Sequence, residues 1–99
     1  MIKHIVMFKL KNFPEAKIKL SNTSKLLDEL EHLKKEIVQI KALKTAVNCN
    51  PENEYDVVLE MEFSTMEDLQ YYIQHPAHQK VVAFLKEIRE SKASIDYIM

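Results

Sequence analysis

The sequence predicts an α+β domain in which strand, helix, two strands, two helices and a final strand follow one another. This is the ferredoxin-like βαββααβ arrangement, an antiparallel four-stranded sheet with helices on one face. Three observations predict it. Residues 2–10 and 55–63 alternate in polarity with the two-residue period of a strand, whereas residues 18–37 carry apolar side chains near helical spacing. A proline at position 76 splits a second helical stretch, because it locks its own backbone and disfavours helical geometry in His75 before it.

In the first strand, Ile2, His4, Val6, Phe8 and Leu10 share one face and Lys3, Ile5, Met7 and Lys9 the other. His4 therefore sits among apolar neighbours, as a hydrogen-bonded core histidine or as part of a pocket. Asn12-Phe13-Pro14-Glu15 reads as a helix start, with Asn12 as cap and Glu15 completing a capping box. The helix should run to about Lys35 with Ile18, Leu26, Leu27, Leu30, Leu33 and Ile37 as its inner stripe. Asn22-Thr23-Ser24 interrupts that stripe and reads as an exposed stretch of weak helix propensity, and His32 as a surface residue.

After an irregular connection, a second strand is expected over Leu43–Cys49, then a turn through Asn48–Glu54. The third strand, Tyr55–Phe63, places Tyr55, Val57, Leu59, Met61 and Phe63 on one face and Asp56, Val58, Glu60 and Glu62 on the other. If it neighbours the first strand, its carboxylates can pair with Lys3 and Lys9 across the sheet. Ser64-Thr65-Met66-Glu67 is a second capping box, opening a helix to about Gln74. Pro76 starts a third helix carrying Val81, Val82, Phe84, Leu85 and Ile88, and Ala93–Ile98 is the last strand. The helix-free side of such a sheet would expose Ile5, Met7 and Val58 among charges, a patch that a second copy would cover.

Bulk properties exclude several functions. Ninety-nine residues make one domain, and a monomer of that size buries only about 60 to 65% of its unfolded surface, so a dimer interface would help it. A net charge of −1 with interspersed signs gives no nucleic-acid footprint. The chain contains no glycine, which rules out phosphate-cradling and dinucleotide loops. Positions of positive φ would then fall to Asn48, Asn50 and Asn53. One cysteine, Cys49, without a C-x-x-C partner fits a reducing compartment. With no long apolar segment and no leader pattern, the expectation is a soluble cytoplasmic protein without membrane partners.

The chemistry-bearing residues concentrate in Tyr71-Tyr72-Ile73-Gln74-His75-Pro76-Ala77-His78. An imidazole titrating near neutrality beside a phenol can move protons at cellular pH. The same residues also have a structural reading, with His75 as a helix cap, His78 at the surface and the tyrosines as packing.

Lys3-His4-Ile5-Val6, Phe8-Lys9-Leu10, Tyr55-Asp56, Phe63, Tyr72, His75-Pro76-Ala77-His78 and Asp96-Tyr97, in that order and spacing, resemble the stress-responsive dimeric α/β-barrel (Dabb) domain family over essentially the whole chain. The resemblance implies a homodimer in which the helix-free faces of two sheets form a barrel, with a cleft between sheet and helices in each subunit. It also implies a cofactor-independent cyclase or lyase chemistry like that of a plant polyketide cyclase of the family. The catalytic roles there fall on His4, Tyr72 and His78: His78 as base, Tyr72 as hydrogen-bond donor and His4 as positioning or oxyanion partner. Val6, Phe8, Leu59, Met61 and His75 are expected to line the cleft around a small apolar or aromatic molecule. The polyketide cyclase carries aromatic pocket residues in its first helix, where this chain has Asn22, Thr23, Ser24 and Lys25.

The competing expectations are a non-catalytic dimer that binds a ligand or protects under stress, and a haem- or metal-using member of the wider superfamily. Against metal, His75 and His78 three residues apart around a proline make a poor two-point site with no clear third ligand.

Overall fold

The computed structural model describes residues 1–99 and has the order β1 (Ile2–Leu10), α1 (Ala16–Glu36), β2 (Ala42–Val47), β3 (Val57–Phe63), α2 (Met66–Gln74), α3 (Pro76–Ile88) and β4 (Arg89–Ile98). The strands form one antiparallel sheet in the order β2-β3-β1-β4. The expected ferredoxin-like fold is therefore the fold observed. The alternation read in β1 and β3 is the burial alternation of the sheet: Ile2, His4, Val6, Phe8 and Leu10 pack under the helices with Val57, Leu59, Met61 and Phe63. From α1 the core receives Leu26, Leu30 and Leu33, with Ile37 just beyond its end, and from α3 Val81, Leu85 and Ile88. Ile18, in the first turn of α1, is 37% exposed.

Element boundaries depart from expectation at two helix starts and at the start of the third strand. Asn12 does not cap α1; the cap position is Glu15, whose side chain makes no capping bond. At α2 the cap is Thr65 rather than Ser64, with its hydroxyl accepting from the Asp68 amide at 3.1 Å. The third strand begins at Val57, not Tyr55, because Asp56 is drawn into a clasp. Its amide donates to Phe8 O at 2.8 Å, and its carboxylate accepts from the Leu10 amide at 2.7 Å and Lys19 Nζ at 2.8 Å. The β1–β4 register shifts between Lys9 and Leu10, the place where Asp56 supplies the Leu10 amide with an acceptor.

The turn asparagines do not take left-handed backbone, and no residue of the chain has positive φ. They work through their side chains instead. Asn48 Oδ1 accepts from the Asn50 amide and Asn50 Oδ1 from the Glu52 amide, each at 3.0 Å, in successive Asx turns. The last strand is longer than Ala93–Ile98, starting at Arg89 directly after α3. That extension carries Lys92 into the sheet.

Lys3 reaches Glu60 at 3.8 Å and Glu62 at 3.6 Å across the β1–β3 ladder, whereas Lys9 pairs with Glu90 of β4 at 2.9 Å. On this helix-free side, Ile5 lies opposite Ile95 and Met7 opposite both Val58 and Ala93. Met7 is 38% exposed, Ile95 61% and Tyr97 46%, an apolar strip without a cover. No helix is long and apolar enough to cross a membrane.

A histidine- and tyrosine-lined cavity beneath the helices

The α2–α3 corner is built by His75. Its backbone is extended, its amide donates to Tyr72 O at 3.1 Å to close α2, and its ring Nδ1 accepts from the Ala77 amide at 3.0 Å to open α3. Pro76 supplies the fixed first residue of α3, whose missing amide hydrogen costs nothing there. This corner sends Tyr72 inward from the end of α2 and His78 back toward it from the first turn of α3. Their rings lie 4.4 Å apart between centroids, inclined at 50°.

His4 approaches from the sheet. Its ring stands edge-on to Tyr72 at 6.2 Å and to Phe63 at 6.4 Å, and Phe63 packs on Tyr72 at 5.4 Å. The register places His4 opposite Asp96 of β4, and His4 Nδ1 lies 2.5 Å from Asp96 Oδ1. His4 is thus both a satisfied core histidine, 9% exposed, and a cavity residue.

His4, Tyr72 and His78 line one cavity of about 210 Å³ between the β1–β4 side of the sheet and the helices. Val6, Phe8 and Leu59 line it, as do Leu30, Ile73, Val81 and Leu85. Two residues expected in the lining are absent from it. Met61, fully buried, is consumed by the core, and the His75 ring is occupied in capping α3. Lys92, Ser94 and Asp96 were not foreseen as lining; they alternate along β4 toward the cavity, and Lys92 falls in the part of that strand that lay outside the expected Ala93–Ile98. Asn22, Thr23 and Ser24 do not reach the cavity; the Thr23 hydroxyl instead donates to Lys19 O within α1. A wider and more open hollow of about 570 Å³ beside the β2–β3 loop, lined in part by Met7, Tyr55 and Val58, holds no imidazole.

The electrostatics assign distinct states to His78 and Tyr72. His78 Nδ1 donates to Ile73 O at 2.8 Å, which leaves Nε2 with a lone pair in the neutral ring. Burial holds His78 below the usual imidazole pKa, with the charges of Lys92 and His4 acting the same way, against the opposing effect of the Ile73 carbonyl. A neutral imidazole at neutral pH is a base. Burial raises the Tyr72 phenol well above its ordinary value, so it keeps its proton and is a donor. Asp96 fixes His4 through Nδ1, leaving Nε2 to accept from a ligand hydroxyl when the ring is neutral or to donate to an oxyanion when it is charged. No group of three or more histidine, cysteine or carboxylate side chains comes together as a metal site.

Fold and cavity together define a small α+β domain of the ferredoxin-like class with a histidine- and tyrosine-lined hollow under its helices. The model of the stress responsive A/B barrel domain, Dabb, matches residues 2–99, and the chain belongs to that family. Among solved structures it is similar to a dimeric protein of unknown function from Bacteroides fragilis, at 32% identity and a TM-score of 0.92, covering 99% of this chain and 95% of that one. It also resembles a Dabb family protein from Mesorhizobium loti (24% identity, TM-score 0.75, 99% and 95% covered). A hydroxynitrile lyase from Passiflora edulis shares the fold at 16% identity, with a TM-score of 0.83 and 99% and 92% covered. No curated protein matches the chain in sequence.

Proposed function

We propose that this protein is a homodimer that binds a small apolar or aromatic carbonyl compound in the cavity beneath its helices and catalyses cofactor-independent acid–base chemistry of the cyclase or lyase type. The observation that carries the reading is the meeting of a backbone-anchored His78 with the Tyr72 ring in one half-enclosed hollow. In the proposed step, His78 Nε2 takes a proton from the carbon next to a carbonyl. The released electron pair forms the enolate, whose oxygen receives a hydrogen bond from Tyr72 and, when its ring is charged, from His4 Nε2. Attack of the enolate carbon on a second carbonyl closes a ring, and the alkoxide so formed takes the proton back from His78; the reverse sequence cleaves a carbon–carbon bond. The lyase named among the structural relatives supports this fold as a host for such chemistry, although fold alone does not assign it.

Pairing through the helix-free face is supported by the exposed strip of Met7, Ile95 and Tyr97 and by relatives described as dimeric. A reducing, cytoplasmic setting belongs to the same proposal, supported by the exposed, unpartnered Cys49. The second reading is a non-catalytic ligand-binding dimer. It is favoured by the first-turn position of His78, whose bond to Ile73 O also ties α3 to the end of α2.

Exchange of the methyl protons of acetophenone for deuterium in buffered heavy water, followed by proton NMR, separates the two. Catalysis predicts exchange faster than buffer alone and reduced to the buffer rate in His78→Gln, with the fold retained. A wild-type protein no faster than buffer, or an equally active His78→Gln, defeats the catalytic reading.

A further inference from the structure

Lys92 is the cavity's one permanently cationic residue, and its charge has no partner. The only carboxylate in the lining, Asp96, is engaged by His4, and the nearby Glu90 is held by Lys9. No carboxylate lies within ion-pair distance of Lys92 itself, although the chain has as many as fifteen acidic residues. The register sets Lys92 opposite Phe8, Ser94 opposite Val6 and Asp96 opposite His4, so ammonium, hydroxyl and buttressed imidazole succeed one another along the cavity wall. From the helices Leu30, Val81 and Leu85 face the sheet, and Leu59 of β3 continues the apolar lining; none of them offers anything to an anion, and all offer much to a hydrocarbon. The hollow thus has one charged wall at β4 and one apolar wall.

We propose that the cavity takes a small organic carboxylate, its anionic end held by Lys92 and the Ser94 hydroxyl and its apolar body laid against the leucines under α1 and α3. The inference rests on the reading of this cavity as the ligand site and adds the charge and polarity of what enters it. At about 210 Å³ the cavity lies below the roughly 300 Å³ lower end for drug-sized ligands, which restricts the ligand to about one ring with short substituents. Lys92 is a positioning residue in this scheme. With the carboxylate fixed at β4, the rest of the molecule extends toward Tyr72 and His78 on the facing side. A flexible ammonium at the mouth of a half-enclosed hollow also suits capture of an anion from solvent, since a charge-assisted bond there keeps more of its strength than on open surface.

Phenylacetate and its neutral isostere phenylacetamide, titrated into the isotopically labelled full-length protein, test this by the chemical shifts of the cavity-lining methyl groups and imidazoles. The expected result is binding of phenylacetate about tenfold or more tighter than the amide, as one charge-assisted hydrogen bond provides. That preference should vanish in Lys92→Met, persist in Lys92→Arg, and shrink as salt is raised. Equal affinity for acid and amide, or a preference unchanged in Lys92→Met, overturns the carboxylate proposal while leaving an apolar ligand site intact. No cavity shifts with either probe overturns both the carboxylate proposal and the reading on which it rests.

Discussion

Asp96 Oδ1 stands 2.5 Å from His4 Nδ1, joining two residues 92 positions apart through the β1–β4 ladder. The pair fixes which face of the imidazole the cavity sees. Asp96→Asn removes the charge that orients His4 and should lower the exchange rate by about 10- to 100-fold, what the loss of a hydrogen bond to a charged group costs. Because the Asp96 side chain is 37% exposed, the stability cost should stay at about 1 kcal/mol or less. Paired thermal melts and rate measurements check both halves, and a large loss of stability with unchanged rate would refute the assignment.

Tyr72→Phe separates packing from chemistry at a buried ring. Burial is the sole influence acting on the phenol, with no internal hydrogen bond to lose, so the melting temperature should hold or rise slightly. The exchange rate should fall by about 10²- to 10³-fold, the cost of removing one oxyanion donor. A variant as active as the parent would show the hydroxyl to be a bystander.

His78 links stability to pH. Burial, with Lys92 and His4 facing the ring, holds its folded pKa below the unfolded value of about 6.5. The unfolded chain therefore binds the proton first as pH falls. Its stabilising contribution is fully present above pH ~6.5 and is lost as pH descends toward the folded pKa. Melts between about pH 5 and 8 should show this decline flattened in His78→Gln. The acid limb of the exchange rate should lie below ~6.5 as well, and a limb above it would contradict neutral His78 as the base.

Ile95→Glu places a carboxylate on the edge strand of the helix-free face, opposite Ile5. Light scattering should report a dimer for the parent and a monomer for the variant. A parent that stays monomeric at micromolar concentration would defeat pairing through this face.

Much of the fold was legible because two periodicities, in β1 and β3 and in α1, record which sides are buried. The α2–α3 corner was legible for a different reason, since proline constrains its neighbours locally. Strand starts were harder to read. Asp56 looks like an outward strand residue until its clasp with Leu10 and Lys19 is seen, and nothing local in the sequence announces partners 46 and 37 positions away. Residues 89–92 look like the polar end of a helix, and only the ladder with β1 makes them a strand. The site divides in the same way. Tyr72, His75 and His78 stand out within eight residues, whereas Lys92 and Ser94 gain meaning only from the register that sets them beside Phe8 and Val6.

A backbone with no left-handed position has a practical consequence for mutagenesis. Leaving its three prolines untouched, an alanine scan of this chain meets no asparagine or aspartate held in left-handed backbone, where alanine would add strain. The losses it records come from deleted side chains and altered helix or strand preference, with none from a strained backbone, which makes a single-residue library of this domain easier to interpret.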